Sequence, residues 1–107
     1  MNQNAGGSFL SPETLDAIIQ MFTEDAPGLV AGLQAALERQ DHRALAQISH
    51  KLRGSTEFLG TSGISSLAAA VEHAAKQGDD GELAAQVPAL IAEVLGLLNE
   101  LQAAEQN

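Results

Sequence analysis

Apolar side chains recur along this chain every three or four positions rather than every second one, which is the spacing of helices. Ser11 is placed to cap a first helix with Pro12 at its first position, and Leu15, Ile18, Ile19 and Phe22 form an i, i+3, i+4, i+7 stripe. Pro27 lacks an N–H and crowds Ala26, so this helix is expected to end or kink near Glu24 or Asp25. A second helix then runs from Pro27 to Arg39 with Val30, Leu33 and Leu37 inward. Asp41 suits the cap of a third helix that continues through Leu59 to a stop at Gly60. The fourth is expected over 62–77, stopped by Gly78 and lined with Ile64, Leu67, Val71 and Ala75. The last, over 81–104, carries Leu83, Val87, Leu90, Val94, Leu97 and Leu101 in alternating steps of four and three, a bundle seam. Pro88 lies near its N-terminal end and predicts a kink or a fresh start there.

Short loops at 40–42, 60–62 and 78–81 make neighbouring helices antiparallel. The pattern therefore predicts an all-α fold: an up-and-down antiparallel four-helix bundle of helices two to five, with the additional N-terminal helix packed across one end. Residues 1–10, with Gly6, Gly7 and Ser8, are expected to form a flexible N-terminal segment ahead of a single helical domain over 11–105. Composition agrees, since the 107 residues include 19 Ala and 15 Leu against only 4 Val and 5 Ile, which favours helices and leaves little for a sheet.

Charge narrows the function. A formal charge of −9 with 3% aromatic residues opposes binding to phosphate backbones and leaves few stacking platforms for bases. Anionic membrane surfaces are disfavoured for the same reason, no apolar run approaches the ~20 residues that span a bilayer, and Met1–Leu10 lacks the features of a signal peptide. A soluble, cytoplasmic protein is expected. The absence of Cys suits a reducing compartment and excludes thiolate chemistry. The total nevertheless hides an asymmetry: four of the five basic residues, Arg39, Arg43, Lys51 and Arg53, fall between positions 39 and 53, a segment of +3 on a background of −12.

On a helical wheel at about 100° per residue, Leu45, Ile48, Leu52, Thr56 and Leu59 of the third helix define a buried face, and His50 lies roughly 160° from its centre. His50 is thus expected in solvent. Gly54, one turn on, is anomalous, because a glycine within a helix costs about 0.5–1 kcal/mol relative to alanine. Lacking a Cβ, it would clear space beside the imidazole, and Arg53 on the adjoining stripe could meet an anion carried by the ring. The plainer alternative is an ordinary exposed histidine and a close-packing glycine.

The string S-H-K-L-R-G-S-T-E-F-L-G over positions 49–60 resembles the signature of histidine-containing phosphotransfer domains. Phe22, Pro27, Leu33, Leu37 and Asp41 precede it, and Leu67, Glu72, Gly78 and Asp79 follow it, at similar spacing. The resemblance implies a carrier in a two-component phosphorelay that takes a phosphoryl group on His50 from one receiver-domain aspartate and gives it to another. It also implies receiver domains of response regulators or a hybrid histidine kinase as partners, no cofactor on this chain, and Mg²⁺ on the receiver. Arg53 stands where the family usually has Lys, so the charge is kept but the fork geometry differs. In some members a Glu or Gln at the offset of Glu72 accepts the Nδ1 proton of the active histidine; the alternative for Glu72 is an i,i+4 ion pair with Lys76. Lys76 is a candidate second cation for the phosphoryl group. His42 and His73 match no motif position and are expected in solvent.

An autonomous kinase is not expected, because no glycine-rich nucleotide loop is present. The three histidines also lack metal-ligand spacing. The competing function is a non-phosphorylated helical module that docks a partner through the exposed face of the third helix.

Overall fold

The computed structural model describes residues 11–57, 59 and 62–106. They form four helices: α1 (Pro12–Arg39), α2 (His42–Glu57), α3 (Ser62–Gln77) and α4 (Asp80–Gln106). No strand occurs among the described residues. Each helix packs on two others, with α1 against α2 and α4, and α3 against α2 and α4. Across these interfaces Gly32 approaches Ile48 between α1 and α2, His42 lies beside Gly78 where α3 ends, and Gly63 near the start of α3 lies beside Glu93 of α4.

The expected break at Pro27 does not occur, and this corrects the expectation of an additional N-terminal helix. The two helices expected over 11–39 are one, α1. Its start is as expected, with Thr14 N–H donating to Ser11 Oγ at 3.1 Å and Pro12 in the first turn. Continuity through Pro27 has a physical basis in burial. Phe22, Ala26, Val30, Leu33 and Ala36 are all buried, at spacings of four, four, three and three, so the inward stripe crosses the proline without a phase change. Pro27 itself is exposed, where water can serve the Thr23 carbonyl that loses its donor. Core packing of both halves thereby overrides the local preference.

Two connections share one construction. In the first, Gln40 takes a left-handed φ of 54°, Asp41 N–H donates to Ala36 O at 2.8 Å, and Asp41 Oδ1 accepts from Ala44 N–H at 3.1 Å. In the second, Gly78 has a φ of 67°, Asp79 N–H donates to Ala74 O at 2.9 Å, and Asp79 Oδ1 accepts from Glu82 N–H at 3.1 Å. Each left-handed residue closes one helix and the following aspartate caps the next. His42, expected in solvent, is instead half-buried between these turns, with Nε2 2.7 Å from Asp80 Oδ1. The C-terminal stop expected at Gly60 lies outside the described residues, as does the N-terminal segment 1–10.

The seam of α4 buries Leu83, Val87, Leu90 and Val94 and then moves from Leu97 to Leu98. The helix passes Pro88, which is exposed, without a fresh start. Contrary to the expectation that no segment could span a bilayer, Asp80–Ala104 is long and apolar enough to do so by length and composition. Its buried residues belong to the same core as α1, α2 and α3.

Pro27→Ala restores a donor for the Thr23 carbonyl, and should raise unfolding free energy by about 1–2 kcal/mol, the helix-interior penalty of proline less its stiffening of the unfolded chain. Urea titration of the two proteins checks this.

Candidate functional site

The fully buried residues of α2 are Leu45, Ser49, Leu52 and Thr56, while Ile48 is only half-buried. Compared with the face expected from the leucines and isoleucine, the buried face is rotated by about 30° toward Ser49. Ser49 is small, and its Oγ has no hydrogen-bond partner among the described residues. On α3, Ala68 and Ala75, both buried, flank Glu72 one turn away on either side. These small side chains let α2 and α3 approach closely, and the rotation carries the inner edge of His50 toward α3.

His50 remains exposed, with 66% of its side chain accessible, yet its Nδ1 lies 3.2 Å from Glu72 Oε2. Glu72 is the centre of the cluster. Only 10% of its side chain is accessible, and Oε2 also meets Lys76 Nζ at 3.2 Å. Oε1 lies 3.4 Å from Arg53 Nη2, an ion pair without a hydrogen bond. Both alternatives for Glu72 are therefore present at once, the ion pair with Lys76 and the contact with His50.

Burial alone would push the Glu72 carboxyl up. The hydrogen bond from Lys76 and the charges of Arg53, Lys76 and His50 outweigh it and hold the group below its ordinary 4.5. Glu72 is accordingly an anion at neutral pH. Arg53 Nη2 also lies 3.2 Å from His50 Nδ1. A guanidinium can only donate, so Nδ1 either gives its proton to Glu72 or, unprotonated, accepts from Arg53. The two contacts belong to different ring tautomers.

Gly54 meets nothing within 4 Å of where a Cβ would stand, whereas a Cβ at Gly32 would come 3.0 Å from Ile48 Cδ1. Close packing thus accounts for Gly32 and not for Gly54. Beside Gly54 a groove of about 420 Å³ opens between α1 and α2, with Ile18, Met21, Phe22 and Asp25 on one side and His50 and Lys51 on the other. Sequence reasoning missed this groove. Its signal was Met21, 61% exposed, a large apolar residue beside the stripe of Leu15, Ile18 and Phe22 rather than within it.

The structure brings His50, Arg53, Glu72 and Lys76 into one cluster and sets Gly54 at its edge. His42 lies apart from it, paired with Asp80, and His73 is exposed. No curated protein and no solved structure matches the chain. The sequence model described as Hpt domain matches residues 17–107, from the first half of α1 through the histidine of α2 and the carboxylate of α3 to the end of α4, and the chain belongs to the Hpt domain family.

Proposed function

We propose that His50 carries the phosphoryl group, taking it from the aspartyl phosphate of one receiver domain and passing it to the aspartate of another. Hpt domains serve phosphotransfer in two-component signalling, where they meet receiver domains and kinases. The reading includes an up-and-down order of the four helices and a cytoplasmic location alongside those receivers. The observation that carries it is a histidine 66% exposed at one edge whose inner ring nitrogen faces a buried carboxylate.

The chemistry follows from that placement. A carboxylate 3.2 Å from Nδ1 favours the tautomer with the proton on Nδ1, and this leaves the lone pair on Nε2. Nε2 attacks phosphorus in line, the N–P bond forms as the P–O bond to the aspartate breaks, and the electron pair leaves with the receiver's carboxylate. The ring retains its Nδ1 proton and becomes cationic, and Glu72 offsets that charge. Arg53 and Lys76 supply positive charge for the incoming phosphoryl oxygens, while the bare Gly54 leaves room for the receiver to approach. The receiver brings the aspartate and Mg²⁺. Transfer back out reverses each step.

Incubation with a phosphorylated receiver should give an acid-labile phosphoprotein, and His50→Gln should abolish the label while stability stays within about 0.5 kcal/mol, as for an exposed substitution. Label persisting in that variant would return the chain to the competing function of a non-phosphorylated docking module. For Gly54, substitution by Ala should stabilise α2 by about 0.5–1 kcal/mol yet slow transfer, and Leu should slow it further. Unchanged transfer in Gly54→Leu would refute the access role.

Glu72 gives a pH signature. Because its folded pKa is depressed, its charge stabilises the fold fully above about 4.5, and that contribution is lost as pH falls through the lower folded value. Glu72→Gln should therefore be less stable than the wild type near pH 7, by about 1–2 kcal/mol given that Lys76 is mostly and Arg53 partly solvated, with the gap closing as pH falls below about 4.5. Urea titrations across that range measure it.

A further inference from the structure

The groove beside His50 carries charges of opposite sign on its two walls. Lys51 stands on the α2 side and Asp25 on the α1 side, and both line the same apolar space. Among the described residues neither has an ion-pair partner. The α2 wall continues as a basic strip, since Arg43, exposed and likewise unpaired, falls within about 40° of His50 and Gly54 on the helix and about 10 Å along it from His50. That distance is near the Debye length at physiological salt, so Arg43 still acts at the site. The floor is apolar, made by Ile18, Met21 and Phe22. A protein surface that covers His50 must cover this groove as well.

We infer that Lys51 and Asp25 fix which receivers dock at His50 and in what orientation. The partner surface that fits is an amphipathic helix or loop with an apolar side chain for the floor at Ile18 and Met21, a carboxylate facing Lys51 and a cation facing Asp25. The inference rests on the phosphotransfer reading for the identity of the partner. The strip of Arg43 and Lys51 draws the acidic side of such a surface to α2, which otherwise belongs to an acidic chain that repels it. Asp25 rejects the same surface turned around, so that only one orientation sets the incoming phosphorus before Nε2. Both residues are exposed, and neither contributes to the core.

The test uses unphosphorylated receiver domains as binding probes for the full chain, chosen from those that label His50. Lys51→Glu should raise Kd by about fivefold to tenfold at low salt, with the loss falling mainly on the association rate and shrinking to about twofold in ~0.5 M salt. Arg43→Glu should do the same to a smaller extent. Asp25→Lys should shift Kd the other way for receivers with an acidic face, and the double change Lys51→Asp with Asp25→Lys should invert the order of preference across the panel. Phosphotransfer titrations should show the loss as a higher receiver concentration for half-maximal rate. Values of Kd within twofold of wild type for both single variants, with an unaltered salt slope, would overturn the inference. So would a concentration-dependent dimer that Met21→Glu dissolves, because a second copy would then be the occupant. Failure of the underlying function has a different readout, in that wild-type protein would take no label from any receiver.

Discussion

A carboxylate nine-tenths buried in a protein of this size stays ionised only if cations surround it, and Arg53 and Lys76 meet that condition for Glu72. Its third neighbour is His50 Nδ1, on a ring that is at once held and exposed. Everything else in the middle of the molecule serves this contact: the small residues Ser49, Ala68 and Ala75 bring α2 and α3 close enough for a glutamate to span the gap, and the rotation of α2 turns one ring nitrogen inward while the other stays in water. The cluster is also self-limiting. Neutralising Glu72 would leave Arg53 and Lys76 beside each other without an anion between them, so the site is most stable with the carboxylate charged.

Much of this was legible in the apolar spacing. The start of α2, both ends of α3, the capping by Ser11 and Asp41 and most of the α4 seam follow from periodicity and cap chemistry, because those are local properties. Pro27 was misread because its local effect is real but small beside the burial of Phe22 and Ala26 before it and Val30 and Leu33 after it. A proline on the solvent side of such a helix costs one hydrogen bond and some crowding of the preceding turn, which the buried residues on either side outweigh. His42 was misjudged for a different reason: its partner Asp80 is 38 residues away and meets it only because two turns gather at the same end of the bundle.

The site divides in the same way. His50, Arg53 and Gly54 lie within five residues on one helix and could be placed by a wheel. Glu72 was reachable through the family resemblance, but its burial and its simultaneous hold on three partners depend on how close α2 and α3 approach. Wheels carry no such information. The groove was hidden for a related reason, since each of its walls taken alone is an unremarkable helix face, and only their juxtaposition makes a concave surface bounded by His50.

Between Ser11 and Met21 no residue of α1 is buried, whereas every turn of the helix beyond Phe22 anchors at least one side chain in the core. Local opening free energies track such anchoring, so this stretch belongs to the least protected part of the fold, and its amides should exchange with solvent long before those of α2. The compliant part of the groove is thus its outer edge at Ile18 and Met21, while Phe22 and Asp25 stand where α1 is anchored. The histidine stands on α2, across the groove from that edge, and under the phosphotransfer proposal receivers of somewhat different contour at Ile18 and Met21 would be met without disturbing the geometry at Nε2.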